Sequence, residues 1–141
     1  MVHTGDWKID ATPTAGDITD EADFRRLGEE GVIAAISDST NVLREGVSPS
    51  ERDVANGLAE VILASPYRVA VTTFASNVAR LRAVAIAAEE TGREVIVVGR
   101  AMERVVNVAR ELGYLDGVKP FRSAEAFQHL QRDKVVAIIT G

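Results

Sequence analysis

The chain has 141 residues, 46% of them hydrophobic, and a formal net charge of −5 at pH 7, which suits one compact unit with a single real core. That acidic balance argues against broad, nonspecific nucleic-acid binding, because such binding needs a large basic surface; any RNA contact has to be local. The absence of cysteine excludes a disulfide framework, a thiolate nucleophile and Cys-ligated zinc, while the lack of a leader or of an apolar run near the roughly 18 residues of a membrane span predicts a soluble, cytoplasmic protein.

In chain order, Thr4–Asp10 reads TGDWKID and precedes a loose polar stretch, Ala11–Asp20, with Pro13 and Gly16. Residues before Asp20 are expected to be the least well anchored. A first apolar strand is predicted at Val32–Ile36. Ser48-Pro49-Ser50-Glu51 then has the form of a helix start, with Ser48 as cap, the helix beginning at Pro49 and Glu51 closing a capping box. Val54, Leu58, Val61 and Ile62 would share that helix's inner face. A second strand, Arg68–Phe74, leads to a helix with Val78, Leu81, Ala85 and Ala88 inward, ended by Gly92. The third strand, Glu94–Gly99, leads to a helix with Met102, Val105, Val106 and Ala109 inward, ended by Gly113. Ser123 is expected to cap a short helix running to Leu130, and Lys134–Thr140 forms the last strand. Strands alternating with amphipathic helices predict an α/β fold, with four or more mostly parallel strands in one sheet and helices on both faces.

Several polar positions sit where such a fold gathers ligands. Asp38 follows the first strand, within SDSTN at Ser37–Asn41, and either serves a site at the strand end or belongs to an Asx turn. At Thr72–Asn77 a strand runs straight into a helix, whose free N–H groups offer an anion seat to which Ser76 or Asn77 would add a donor; ordinary capping explains the same residues. Gly99-Arg100 repeats that geometry, with Arg100 able to meet a phosphate bidentately. No P-loop or G-x-G-x-x-G is present. Arginines from Arg80 to Arg110 make this stretch mildly basic, as a solvated helix face or as a phosphate track. Asp6, after Thr-Gly, reads locally as a turn residue.

Taken together, the segments TGDWKID, SDSTN, TTFASNVARL at Thr72–Leu81 and VVGRAMERVV at Val97–Val106 resemble ribonuclease J, the bacterial member of the metallo-β-lactamase/β-CASP nucleases. The resemblance runs over nearly the whole chain and implies an internal piece: residues 1–44 from the metallo-β-lactamase domain, and 45–141 an incomplete, Rossmann- or flavodoxin-like β-CASP domain. It implies that Asp6 bridges two divalent metal ions, zinc or manganese, and that Asp38 supports that centre as the acidic residue of the first β-CASP motif. Trp7 stands where the family usually has phenylalanine.

The resemblance further implies that Phe74, Ser76, Asn77 and Arg100 help hold RNA bearing a 5′ monophosphate, and that the parent is a homo-oligomeric 5′-to-3′ exonuclease and endonuclease. The family's H-x-H-x-D-H segment is missing; the only histidines are His3 and His129. The chain alone is therefore expected to bind no metal tightly and to have no nuclease activity. Two other classes stay open on the residues: a Rossmann-like module for a small phosphorylated ligand, and a non-catalytic interaction domain.

Overall fold

Val-Val-Ala-Ile-Ile at Val135–Ile139 (β5) is apolar on both of its faces, and only the middle of a covered parallel sheet suits such a strand. In the computed structural model, which describes residues 1–140, β5 lies between β3 (Val69–Thr72) and β4 (Glu94–Val98), all parallel, in the order β3-β5-β4. Register places Val69, Val136 and Val95 in one row and Val71, Ile138 and Val97 in another. These rows meet α2 (Glu51–Ala64), α3 (Val78–Glu90) and α4 (Arg100–Glu111) in one core with Ile62, Leu81, Val84, Met102 and Val106. Ile96, Val135 and Ala137 point the other way and are buried too. A 3-10 turn, Ala124–Gln128, packs against β4. The chain is thus α/β with parallel sheets, as its alternating pattern predicts.

The expected single sheet divides in two. Of the run Val32–Ile36, only Ala35–Ile36 (β2) is strand, and it pairs in parallel with Val2–His3 (β1) in a separate two-stranded sheet. The intervening α1 (Glu21–Glu30) is capped by Asp20, whose carboxylate accepts from the N–H groups of Ala22 and Asp23. The run stays largely exposed: Ile33 is 100% exposed and Ile36 49%. Apolar composition alone cannot say which sheet a strand joins.

Two helix starts also differ from expectation. α2 begins at Glu51, with Ser50 as its cap. The Ser50 side chain accepts from the Asp53 N–H at 3.0 Å, and Asp53 accepts from the Ser50 N–H at 3.1 Å, so Asp53 closes the capping box two residues beyond the expected position. Ser123 precedes a 3-10 turn rather than a helix to Leu130, and its hydroxyl donates to Glu125 instead of capping. Gly92 and Gly113 do follow their helices with φ of +68° and +78°. Among the described residues no helix is long and apolar enough to cross a membrane.

Candidate functional site

In a parallel pair both chains leave the sheet at the same edge, and there loops gather groups that act together. β1 and β2 deliver Thr4–Trp7 and Ser37–Thr40 side by side. The Thr4 N–H donates to the Ile36 carbonyl at 3.0 Å, and the Trp7 indole N–H donates to the Asp38 carbonyl at 3.0 Å. The structure thus brings the loop of Asp6 against that of Asp38. Asp6 is exposed and Asp38 half-buried. One oxygen of Asp38 accepts from the Thr40 hydroxyl at 2.5 Å and from the Thr40 N–H at 2.9 Å; these bonds, the hydroxyl's first, hold its carboxyl below the usual carboxylate range. The Asx turn expected as one reading of Asp38 is formed, just after β2. Trp7, Asp38, Asn41 and Val47 are among the residues lining a groove there.

Beyond Trp7 the chain turns inward. Asp10 is 9% exposed; it accepts from the Thr12 N–H at 2.9 Å and, with its second oxygen, from the Glu51 N–H at 2.7 Å. This carboxylate occupies the N-terminus of α2, where dipole and free N–H groups favour an anion. The two backbone bonds, Glu51's first, lower its pKa. Asp10 therefore pins a segment expected to be loosely held. Glu51 in turn accepts from Lys8 Nζ at 3.3 Å with one oxygen and from Arg80 at 3.1 Å with the other. Partial burial is the largest single influence on Glu51 and raises its pKa, but the two cations outweigh it and the net shift is downward. Lys8, Asp10, Glu51 and Arg80 form a bridge that the sequence reading missed. Lys8 and Asp10 belong to the noted TGDWKID segment, yet their partners lie 43 and 41 residues away, so no local spacing signals them.

Arg80 leads to the second edge. Asn77 caps α3, its side-chain oxygen accepting from the Arg80 N–H at 3.0 Å, and the Asn77 N–H closes a turn onto the Phe74 carbonyl at 3.0 Å. Phe74 is 82% exposed and Ser76 is exposed. Arg100, at the first turn of α4, is exposed at the same sheet edge, with β5 between its strand and β3. Gly99 enters α4 at φ +109°, a conformation that favours glycine. The structure thus collects Phe74, Ser76, Asn77 and Arg100 along one edge, and joins the Ser76–Asn77 turn to the Asp6 loop through Arg80, Glu51 and Lys8. His129 is exposed, and His3 accepts from the Gly5 N–H through Nδ1 at 3.0 Å. Among the described residues no group of three or more His, Cys, Asp or Glu converges as a metal site. A pair of metal ions does not fit the donors of this chain alone, for Asp6 is a single exposed carboxylate.

A family model for the β-CASP domain of ribonuclease J matches residues 66–141, which take in β3 to β5 and both strand-to-helix turns. The chain belongs to the ribonuclease J family. Over its full length it is 58% identical to ribonuclease J of Sinorhizobium meliloti and 42% identical to that of Thermus thermophilus. Ribonuclease J2 of Bacillus subtilis is 38% identical over 142 aligned positions. The chain covers 25%, 25% and 26% of these relatives, so it spans about a quarter of the ribonuclease J proteins it matches. The matched β-CASP region starts after α2, so the joining bridge ties residues inside it, through Arg80, to residues before it, through Lys8, Asp10 and Glu51.

Proposed function

We propose that this chain forms part of the active centre of a metal-dependent ribonuclease acting on RNA in the cytoplasm, exonucleolytically from the 5′ end and endonucleolytically. The observation that supports this reading best is the pairing of two strand-end loops through the Trp7–Asp38 hydrogen bond, in a chain of the ribonuclease J family. Asp6 is proposed as one ligand of a two-metal centre, zinc or manganese, whose other ligands this chain does not contain. Asp38 stays ionised at neutral pH, since its pKa is lowered, and supports the loop facing that centre. Residues 1–44 are read as metallo-β-lactamase sequence and 45–141 as β-CASP.

On the second edge, the α3 N-terminus with Ser76 and Asn77 would receive a 5′ monophosphate, Phe74 would lie against a base, and Arg100 would meet a backbone phosphate. An anion here gains from the positive end of the α3 dipole, in competition with the bonds that the Asn77, Val78 and Arg80 N–H groups already make to Phe74, Ser76 and Asn77. The whole protein is proposed to be a homo-oligomer.

The test incubates 5′-monophosphorylated RNA and manganese with the whole protein, with its Asp6→Ala variant and with this chain. Cleavage is expected from the whole protein alone. An Asp6→Ala protein with an unchanged rate would remove Asp6 from the metal centre, and metal-dependent cleavage by the chain, surviving chromatography, would overturn the expectation that it lacks a complete centre.

A further inference from the structure

Glu51 stands at the junction of three segments with different tasks. Its backbone N–H is held by Asp10, from the segment after the Asp6 loop, at 2.7 Å. One side-chain oxygen takes Lys8 Nζ at 3.3 Å, two positions from Asp6, and the other takes Arg80 at 3.1 Å, in the first turn of α3. These side chains are fixed more firmly than a surface ion pair would be: Asp10 is 8% exposed, Glu51 23%, Arg80 24% and Lys8 35%. Arg80 is also held at its backbone, whose N–H is capped by Asn77, while its Nε is buried without a partner. It is thus committed to its place by more than charge. An isolated pair at this exposure contributes little to stability. A carboxylate that ties one loop to a helix start has a different consequence, since it sets the distance between them.

We infer that Glu51 is a positioning residue, which fixes the Asp6 loop relative to the Ser76–Asn77 turn by holding Lys8 with one oxygen and Arg80 with the other. The inference rests on the reading proposed above, in which one loop serves the scissile phosphodiester and the other the 5′ phosphate. RNA held at both points reacts only if their separation matches the substrate, and a displacement near 1 Å costs up to about a hundredfold in rate. Glu51 touches neither RNA nor metal in this arrangement; it acts through Lys8 and Arg80. Its loss therefore lowers the rate of the bound substrate more than the affinity.

The experiment uses the whole protein with 5′-monophosphorylated RNA. Variants are Glu51→Gln, which keeps the shape and loses the charge, Glu51→Asp, which keeps the charge and shortens the reach, and Lys8→Met and Arg80→Gln singly and together. Glu51→Gln is expected to lower kcat about tenfold with KM within about twofold, and Glu51→Asp to recover part of the loss. Lys8→Met and Arg80→Gln, each cutting one arm, should be non-additive in kcat, a result that stands even if Glu51→Gln folds poorly. A readout independent of activity is the indole N–H resonance of Trp7, the one tryptophan of this chain and assigned in the whole protein by its loss in Trp7→Phe; it should move in Glu51→Gln and in Arg80→Gln.

Unchanged kcat in Glu51→Gln, a loss confined to KM, or additive arms would each overturn the inference. If Asp6→Ala abolishes cleavage while Glu51→Gln does not affect it, the positioning role fails and the ribonuclease reading stands. If Asp6→Ala leaves the rate unchanged, Asp6 leaves the metal centre and the loop held by Glu51 carries nothing the reaction uses, so the positioning role fails, while cleavage by the whole protein keeps the ribonuclease reading.

Discussion

Asn77 separates two roles that coincide at the start of α3, helix capping and anion binding. Its side-chain oxygen accepts from the Arg80 N–H at 3.0 Å, but the same N–H also reaches the Asn77 carbonyl at 3.1 Å. Asn77→Ala therefore removes one acceptor of two, and the cost should fall near the middle of the usual capping range, about 1 kcal/mol. For 141 residues the unfolding entropy is about 0.3 kcal/mol per degree, so Tm should drop by about 3 °C. Asn77→Asp retains the acceptor and places a negative charge at the helix N-terminus, which is worth about 0.3–1 kcal/mol in favour of the fold. Stability should be held or slightly raised.

The anion responds oppositely. A carboxylate about 4 Å from a bound phosphate repels it by roughly 1–4 kcal/mol between the bulk-water and near-surface dielectric limits, enough to weaken binding about fivefold or more. Chemical denaturation gives the stabilities, and amide shifts of Ser76 to Arg80 during titration with adenosine 5′-monophosphate give the affinities. Asn77→Asp should thus be stable yet impaired in binding. If it binds the nucleotide as tightly as the unaltered chain, the α3 N-terminus is only a capped helix start, and the phosphate assignment of Ser76 and Asn77 is wrong.

Leu81→Ala, at a core position with 0% exposure, should destabilise by about 3 kcal/mol and lower Tm by about 10 °C; a loss under about 1 kcal/mol in urea unfolding would mean that α3 is not packed as described. Two glycines should respond with opposite signs in the same assay. Gly99→Ala meets nothing closer than Thr140 Cγ2 at 3.8 Å, so its cost is the strain of φ +109° and ψ +134°, about 1–3 kcal/mol, whereas Gly57→Ala, in open space within α2, should gain about 0.5–1 kcal/mol. Acid should release the N-terminal segment through Asp10. Its folded pKa lies below the reference 3.8, so its contribution is full above that value and is lost as pH falls through the lower, folded pKa. Trp7 fluorescence should follow this loss below about pH 4 and should lose that transition in Asp10→Asn; an unchanged profile in the variant refutes the assignment.

Local chemistry by itself determined β3, α3, β4, α4 and β5 in their order, but not the 3-10 turn after Ser123. Four- and five-residue apolar runs bounded by glycine or polar residues became β3, β4 and β5, and the periodic faces around Leu81 and Met102 became the buried sides of α3 and α4. The positive-φ positions of Gly92 and Gly113 were legible for the same reason, because one residue type answers one backbone need. The family segments likewise marked the loops that the structure sets at sheet edges.

Tertiary structure decided the partnerships. Nothing in Val32–Ile36 tells β2 to pair with β1 and leave the main sheet, and nothing local orders β5 between β3 and β4. The capping box of α2 is closed by Asp53 because the cap is Ser50 rather than Ser48, which makes Asp53 the third helical residue; Glu51, at the first, pairs with Lys8 and Arg80 instead. That bridge spans 43 residues in one direction and 29 in the other. Propensity and capping act over a few residues, while strand pairing and ion pairing depend on which distant segments the collapsed core brings within a few ångströms; the candidate site is built from the second kind of contact.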